Sequence, residues 1–298
     1  MDKILNGNKV SKFFLKKIKK KINKIKENNK NINPHLGIII VGKNIQSINY
    51  VKNKIKDCKK IGIKVYLLEF PISISEKELI FEIKNLNNNP LIDGFIIQLP
   101  LPKILNIENI ILHINPNKDV DGFHPINLGK LSLNYNDKKI FIPATALGIF
   151  KLLNFYKINT LGKHIVVIGR SRIVGTPISI LMSRKNMGNS TVTITHSYTK
   201  NLIYFTKKAD ILISSIGKPN FIKKNMIKNK SIIIDVGINE NKYKKIVGDV
   251  DFKNVYKKVS YITPVPGGVG PMTRAMLIYN TYLSFIKNNK LNNKYNYL

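Results

Sequence analysis

Apolar residues along this chain follow two alternating rhythms. Short β-branched blocks, Leu36-Gly-Ile-Ile-Ile-Val41, Ile63 to Leu68 and Phe95-Ile-Ile-Gln98, read as strands, the first as a buried parallel one. Between them the spacing is helical: Tyr50, Val51, Lys54, Ile55 and Cys58 recur within Ser47 to Ile61, and a further helix is opened by the capping box Ser75-Glu-Lys-Glu78. Ahead of these, residues 1–30 predict a lysine-rich amphipathic helix with Val10, Phe13, Phe14, Ile18, Ile22 and Ile25 on its apolar side. The order βαβαβ predicts an α/β fold with a parallel sheet covered by helices. Residues 126–142 carry little pattern and read as a connection. Pro143-Ala-Thr-Ala146 then opens a helix, capped by Thr145, that bridges to a second half.

That second half restarts the pattern. Lys163-His-Ile-Val-Val-Ile-Gly169 is a strand running into Arg170-Ser-Arg-Ile-Val-Gly175 and a helix begun by Pro177. Strands follow at Thr191–Thr195, Ile211–Ser214 and Ile232–Val236, the last two ending in Ser215-Ile-Gly217 and Gly237-Ile238. Thr273 caps a last apolar helix, Ala275 to Ile286, and the Asn/Lys tail from Asn288 reads as disordered.

Composition narrows the class. A chain of 298 residues can bury two cores. No run approaches the ~20 apolar residues of a membrane span, the N-terminus lacks an apolar signal core, and the single Cys58 fits a reducing compartment. A soluble, cytoplasmic protein is expected. The net charge of +33 would suit a nucleic-acid binder. Yet only Arg170, Arg172, Arg184 and Arg274 are arginine, and the lysines are spread evenly, unlike the clustered guanidinium forks that read phosphates. No nucleic acid and no membrane are expected as partners.

Candidate chemistry gathers at strand ends, where open parallel sheets bind ligands. Tyr50 and Lys54 share a helix face, so the aromatic plane could hold a flat heterocycle while a desolvated amine moves protons; the alternative is a plain surface lysine. Gln98 ends a strand before Leu99-Pro-Leu-Pro102, either as a spectator or as a partner of Lys54 or the ring. In the polar loop Pro116 to Pro125, Asp119, Asp121 and His124 lack the spacing of a calcium or zinc site. They read as turn formers, or as a carboxylate for an amino-pyrimidine edge; no metal is expected. Gly169 and Gly175 flank an imperfect dinucleotide loop in which Ser171 replaces the middle glycine. Thr195 is followed by His196-Ser197, without the acidic residue that holds a ribose 2′-hydroxyl, and Arg170 is near: this favours NADP over NAD. Thr263-Pro-Val-Pro-Gly-Gly-Val-Gly-Pro-Met-Thr273 specifies a rigid backbone with unencumbered amides.

Taken together, Ser47-x-x-Tyr50-Val-x-x-Lys54, Asp93 to Pro102, Lys118 to Pro125, Val167 to Gly175 and Pro264 to Thr273 resemble the bifunctional methylenetetrahydrofolate dehydrogenase/methenyltetrahydrofolate cyclohydrolase family. The resemblance implies a folate-binding catalytic domain (1–142, completed by the 274–298 helix), a Rossmann-type NADP domain (143–273) and a homodimer acting on tetrahydrofolate one-carbon derivatives. By position it makes Lys54 the proton-transferring amine, Gln98 its tuner, Tyr50 a stacking platform and Asp121 an anchor for the pterin. It adds Leu99 and the backbone at Pro266, Gly267, Gly268, Val269 and Gly270 as substrate contacts. For the dinucleotide it implies Gly169, Arg170, Ser171, Ile173, Val174, Gly175, Ser197, Gly217 and Ile238. The chain departs from the family pattern in two places: Ala144 and Ala146 stand in a usual Pro-Cys-Thr-Pro, and Tyr198 where a basic residue is common. The rival readings are a dehydrogenase that has lost the cyclohydrolase step and a basic nucleic-acid-binding protein.

Overall fold

The computed structural model of the chain describes residues 3–28, 32–135, 140–241 and 243–291. Helix α1 (Gly7–Asn28) leads into β1 (His35–Val41), α2 (Ile45–Ile61), β2 (Lys64–Phe70), α3 (Glu76–Asn88) and β3 (Gly94–Ile97), followed by α4 (Ile107–Leu112) and α5 (Pro125–Ser132). The three strands form a parallel sheet in the order β2-β1-β3, with Ile39 registered on both Leu68 and Ile97. As the central strand, β1 is almost wholly buried, as its unbroken apolar run requires. Its core joins Ile39, Leu79, Ile83, Phe95 and Ile110. The capping box forms as expected, Ser75 Oγ accepting from Glu78 N–H and the Glu78 carboxylate from Ser75 N–H.

Then come α6 (Ala144–Phe155), β4 (His164–Ile168), α7 (Gly175–Ser183), β5 (Thr191–Thr195), α8 (Leu202–Thr206), β6 (Ile211–Ser214), β7 (Ile232–Asp235), the short hairpin β8 (Asn239–Glu240) and β9 (Ile246–Val247), α9 (Phe252–Val255), β10 (Tyr261–Ile262) and α10 (Val269–Asn288). A five-stranded parallel sheet runs β10-β7-β6-β4-β5. After β5 the chain crosses β4 to lay down β6 on its other side, so the switch point falls between the ends of β4 and β6. The second core gathers Val166, Leu212, Ile233 and Ile262.

Contacts divide the chain into one unit of Met1–Lys12, Leu131–Asn134 and Thr145–Thr273, and another of Phe13–Lys130, Tyr135–Ala144 and Arg274–Leu298. The chain start departs from the expected 1–142 domain because it extends the second sheet: Leu5 N–H donates to Ile262 O and Ile262 N–H to Lys3 O, both 2.9 Å. Consequently the first helix begins only at Gly7. Phe13 is not on its buried face but 42% exposed beneath Lys17, since adjacent residues point about 100° apart. The connection at 126–142 contains α5, whose Leu131 is fully buried. Both threonine caps are also corrected. Thr145 is the second residue of α6, and Thr273 the fifth of α10, which starts inside the glycine motif and tolerates Pro271 in its first turn. Asn288 still belongs to α10; of the tail expected to be disordered, 292–298 lies outside the described residues.

Candidate functional site

Helix α2 is held at both ends. Asn44 caps it through Ser47 N–H, Gly62 ends it in the left-handed conformation, and Ser47 Oγ donates to Leu99 O at 3.4 Å. This fixes the face carrying Tyr50 and Lys54. Lys54 is 4% exposed, so it is not a surface lysine, and its Nζ lies 4.9 Å from the Tyr50 ring centroid. It donates to Gln98 Oε1 at 3.0 Å. The amide cannot be turned round, because Gln98 Nε2 donates to Leu99 O at 2.7 Å and an inverted amide would set its oxygen against that carbonyl oxygen and its NH2 against the Lys54 donor. Gln98 N–H in turn bonds Ile39 O, tying the residue to the central strand.

Burial drives the Lys54 pKa below the ordinary lysine value; the nearby negative charge of Asp121 opposes this and Arg274 reinforces it. Arg274 Nε is anchored by Asp57 Oδ2 at 2.8 Å, one turn along α2 from Lys54. Asp121, half-buried, is pushed up to about 6 by desolvation, with Lys54 pulling it down and Asp119 pushing it up. Its loop is built by Asp119, whose carboxylate accepts from the N–H groups of Gly122 and His124 and from Asn127 Nδ2. Gly122 has φ +76°, and a Cβ there would lie 2.6 Å from Phe141 O. Asn280 of α10 completes the loop by donating to Val120 O and Ile142 O at 2.8 and 3.0 Å. Cys58 is a buried thiol raised to about 12, unfit as a nucleophile. Among the described residues no three His, Cys, Asp or Glu side chains group as a metal site.

The dinucleotide residues lie in the other unit, at the carboxyl ends of its strands. Gly169 follows β4 with φ +112°, where a Cβ would come 2.7 Å from Ser215 O beyond β6. Gly175 starts α7, and a Cβ there would collide with the Gly169 carbonyl. The loop is therefore drawn tight against the switch point, forming a cradle at a helix start that suits a pyrophosphate. Ser171 supplies what the missing glycine does not: its Oγ accepts from Val174 and Gly175 N–H at 3.2 and 3.4 Å. Ile173 is partly exposed on the same loop. Arg170 extends over Tyr198, 6.0 Å from the ring centroid, beside Ser197 after β5. Gly217 (φ +65°) and Ile238 follow β6 and β7.

Thus Tyr50, Lys54, Gln98, Leu99 and Asp121 are gathered in one unit, and the dinucleotide set in the other, together with Pro266, Gly267, Gly268, Val269 and Gly270. Gly267 has φ +106° and its carbonyl accepts from Asn8 N–H at 3.1 Å, so this segment is fastened to the start of α1. Val269 and Gly270 are the first helical residues of α10. Sequence reasoning placed Ser47 in a motif without its partner, and missed Asp57, Arg274 and Asn280. Asp57 and Arg274 sit next to recognised motifs, but none of these residues carries a spacing that betrays a partner tens or hundreds of residues away.

Known proteins match at the same level of detail. The family described as tetrahydrofolate dehydrogenase/cyclohydrolase matches through its catalytic domain at residues 5–121 and its NAD(P)-binding domain at 143–289. Bifunctional protein FolD of Flavobacterium psychrophilum is 52% identical over 289 residues, 94% of this chain and 97% of that one. The bifunctional FolD enzyme of Campylobacter jejuni superposes with a TM-score of 0.91 at 43% identity, covering 97% and 99% of the two chains. The Trypanosoma brucei methylenetetrahydrofolate dehydrogenase-cyclohydrolase, solved with NADP and an inhibitor, gives a TM-score of 0.91 at 31% identity, covering 96% and 98%. The matches span both halves of the chain, with the Lys54 cluster in one and the glycine loop in the other: the chain belongs to the tetrahydrofolate dehydrogenase/cyclohydrolase family.

Proposed function

We propose that the buried pair Lys54–Gln98, flanked by Tyr50 and Asp121, performs the hydrolytic half of a two-step folate conversion. The enzyme oxidises 5,10-methylenetetrahydrofolate to 5,10-methenyltetrahydrofolate with NADP and hydrolyses the product to 10-formyltetrahydrofolate. The observation that carries the residue assignment is the 3.0 Å bond from Lys54 Nζ to Gln98 Oε1 in a buried setting. With one N–H spent on Gln98, a neutral amine keeps a lone pair for a proton. Burial makes that neutral form accessible nearer pH 7. Lys54 takes a proton as water adds to the methenyl carbon and returns one as the ring C–N bond opens. Tyr50 stacks on the planar substrate, and Asp121 hydrogen-bonds the amino-pyrimidine edge.

When bound, NADP accepts the hydride at C4 of its nicotinamide. The cradle of Gly169, Arg170, Ser171, Ile173, Val174 and Gly175 receives its phosphates, with Ser197, Gly217 and Ile238 along the remaining strand ends. Hydride transfer asks these residues for positioning and moves no proton. Arg170 meets the 2′-phosphate. The enzyme works in the cytoplasm as a homodimer and binds no nucleic acid; family resemblance supports the dimer, and the even spread of lysines the last point. Among the described residues no helix is long and apolar enough to cross a membrane.

The test is a single cuvette holding enzyme, methylenetetrahydrofolate and NADP, with NADPH and methenyltetrahydrofolate followed together. NADPH should rise while methenyltetrahydrofolate stays low. NADPH rising with stoichiometric methenyltetrahydrofolate would identify a dehydrogenase alone, and duplex binding without NADPH formation would return the nucleic-acid reading.

A further inference from the structure

Two buried carboxylates in the unit that holds the dinucleotide residues play no part in the chemistry above. Asp249, 0% exposed, accepts through Oδ2 from Ser214 Oγ at 3.0 Å and Ile216 N–H at 2.9 Å, and through Oδ1 from Lys218 N–H and Asn239 Nδ2, both at 3.0 Å. Asp235, at the end of β7, accepts from Gly237 and Asp249 N–H at 3.0 Å and Val250 N–H at 2.9 Å. A Cβ on Gly237 would run into the Asp249 carboxylate, and one on Gly248 into that of Asp235. Both carboxylates therefore sit in backbone nests that only glycine permits.

The bonds bracket two particular residues. Gly217 lies between Ile216 and Lys218, whose N–H groups both end on Asp249. Ile238 lies between Gly237, held by Asp235, and Asn239, held by Asp249. These are the two positions assigned above to the dinucleotide beyond β6 and β7. The mutual repulsion of two such carboxylates is a cost, and desolvation together with Asp249 raises Asp235 to about 7. A fold that needed only to close these turns could do so with neutral side chains.

We propose that Asp249, seated by Asp235, is a positioning residue for the dinucleotide: one carboxylate sets both strand-end loops, and so governs NADP binding without serving the hydrolytic step. The inference rests on the dinucleotide reading given above. Asp249→Asn keeps the shape but turns an NH2 group toward backbone donors on one side. Kd and KM for NADP should rise about tenfold or more, with kcat at saturating NADP and hydrolysis of methenyltetrahydrofolate little changed, while the buried donors left facing NH2 lower the thermal midpoint. Asn239→Ala, which removes a single donor, should shift NADP affinity in the same direction by less, and it replaces the first variant if that one fails to fold. Unchanged NADP affinity in a folded variant, or an equal fall of both activities, overturns the proposal. A wild-type protein that binds no NADP would instead overturn the dinucleotide reading itself.

Discussion

At the scale of single residues, the account turns on how charge is treated inside the Lys54 cluster. Gln98 is neutral, so it orients the amine without the negative charge that would strongly favour its protonated form. Gln98→Glu would place an anion 3.0 Å from Nζ and raise the Lys54 pKa. The pH profile of hydrolysis should then move to higher pH, because the neutral amine appears later; an unmoved profile would disconnect Gln98 from the proton. Asp121 makes the converse case. Its folded pKa of about 6 lies above the ordinary 3.8, so between those values the folded state holds a proton that the unfolded chain has released. Stability from this group is therefore present at low pH and lost as pH rises through 6. Asp121→Asn should melt above wild type at pH 7.5 and converge with it below pH 4; parallel curves would contradict the assigned burial cost. Arg170→Ala should cost on the order of 1 to 3 kcal/mol in NADP binding and little in NAD binding. Equal losses with both cofactors would remove Arg170 from the 2′-phosphate. The Lys54–Gln98 contact was legible in the sequence because each residue sits in a compact local motif. Arg274 and Asp57 were not, since their pairing depends on where α10 packs, 217 residues along the chain.

At the scale of elements, periodicity was a good guide where an element is long or capped by its own side chains. The capping box of α3 and the run of β5 emerged as read. Periodicity failed where side-chain chemistry at helix starts is ambiguous. Thr145 and Thr273 resemble caps, yet each lies within its helix, Thr273 Oγ1 bonding back to Val269 O at 3.3 Å and reaching Thr145 Oγ1 at 3.2 Å. Helix α5 was hidden because Gly129 and a polar surround dilute its apolar spacing. The imperfect glycine loop is the instructive element. Ser171 occupies the missing glycine's place without blocking the turn, because its hydroxyl accepts from the start of α7. What the turn cannot accept is a side chain at 175. Gly175→Ala would force the loop away from Gly169, and NADP affinity should fall at least about tenfold. Hydrolysis of methenyltetrahydrofolate, which needs no dinucleotide chemistry, should persist. NADP binding at wild-type strength in that variant would show that the tight turn is dispensable.

At the scale of the molecule, the candidate residues for the two steps lie at two sheets with separate cores. The alternation of strands and helices conveyed this architecture. It did not convey that the first residues join the second sheet, because a lone bridge at Ile4 has no periodicity to announce it. Nor could composition separate a dehydrogenase from a bifunctional enzyme; in the proposal above that distinction rests on one amine. Lys54→Gln keeps a polar side chain of similar reach but cannot carry a proton, so hydrolysis should fall by ~10² or more while hydride transfer suffers less. The decisive measurement is progress curves for purified Lys54→Gln with methylenetetrahydrofolate and NADP. Methenyltetrahydrofolate should accumulate in step with NADPH, where wild type clears it. Clearance at the wild-type rate, or an equal collapse of both activities with folate binding intact, would contradict the account.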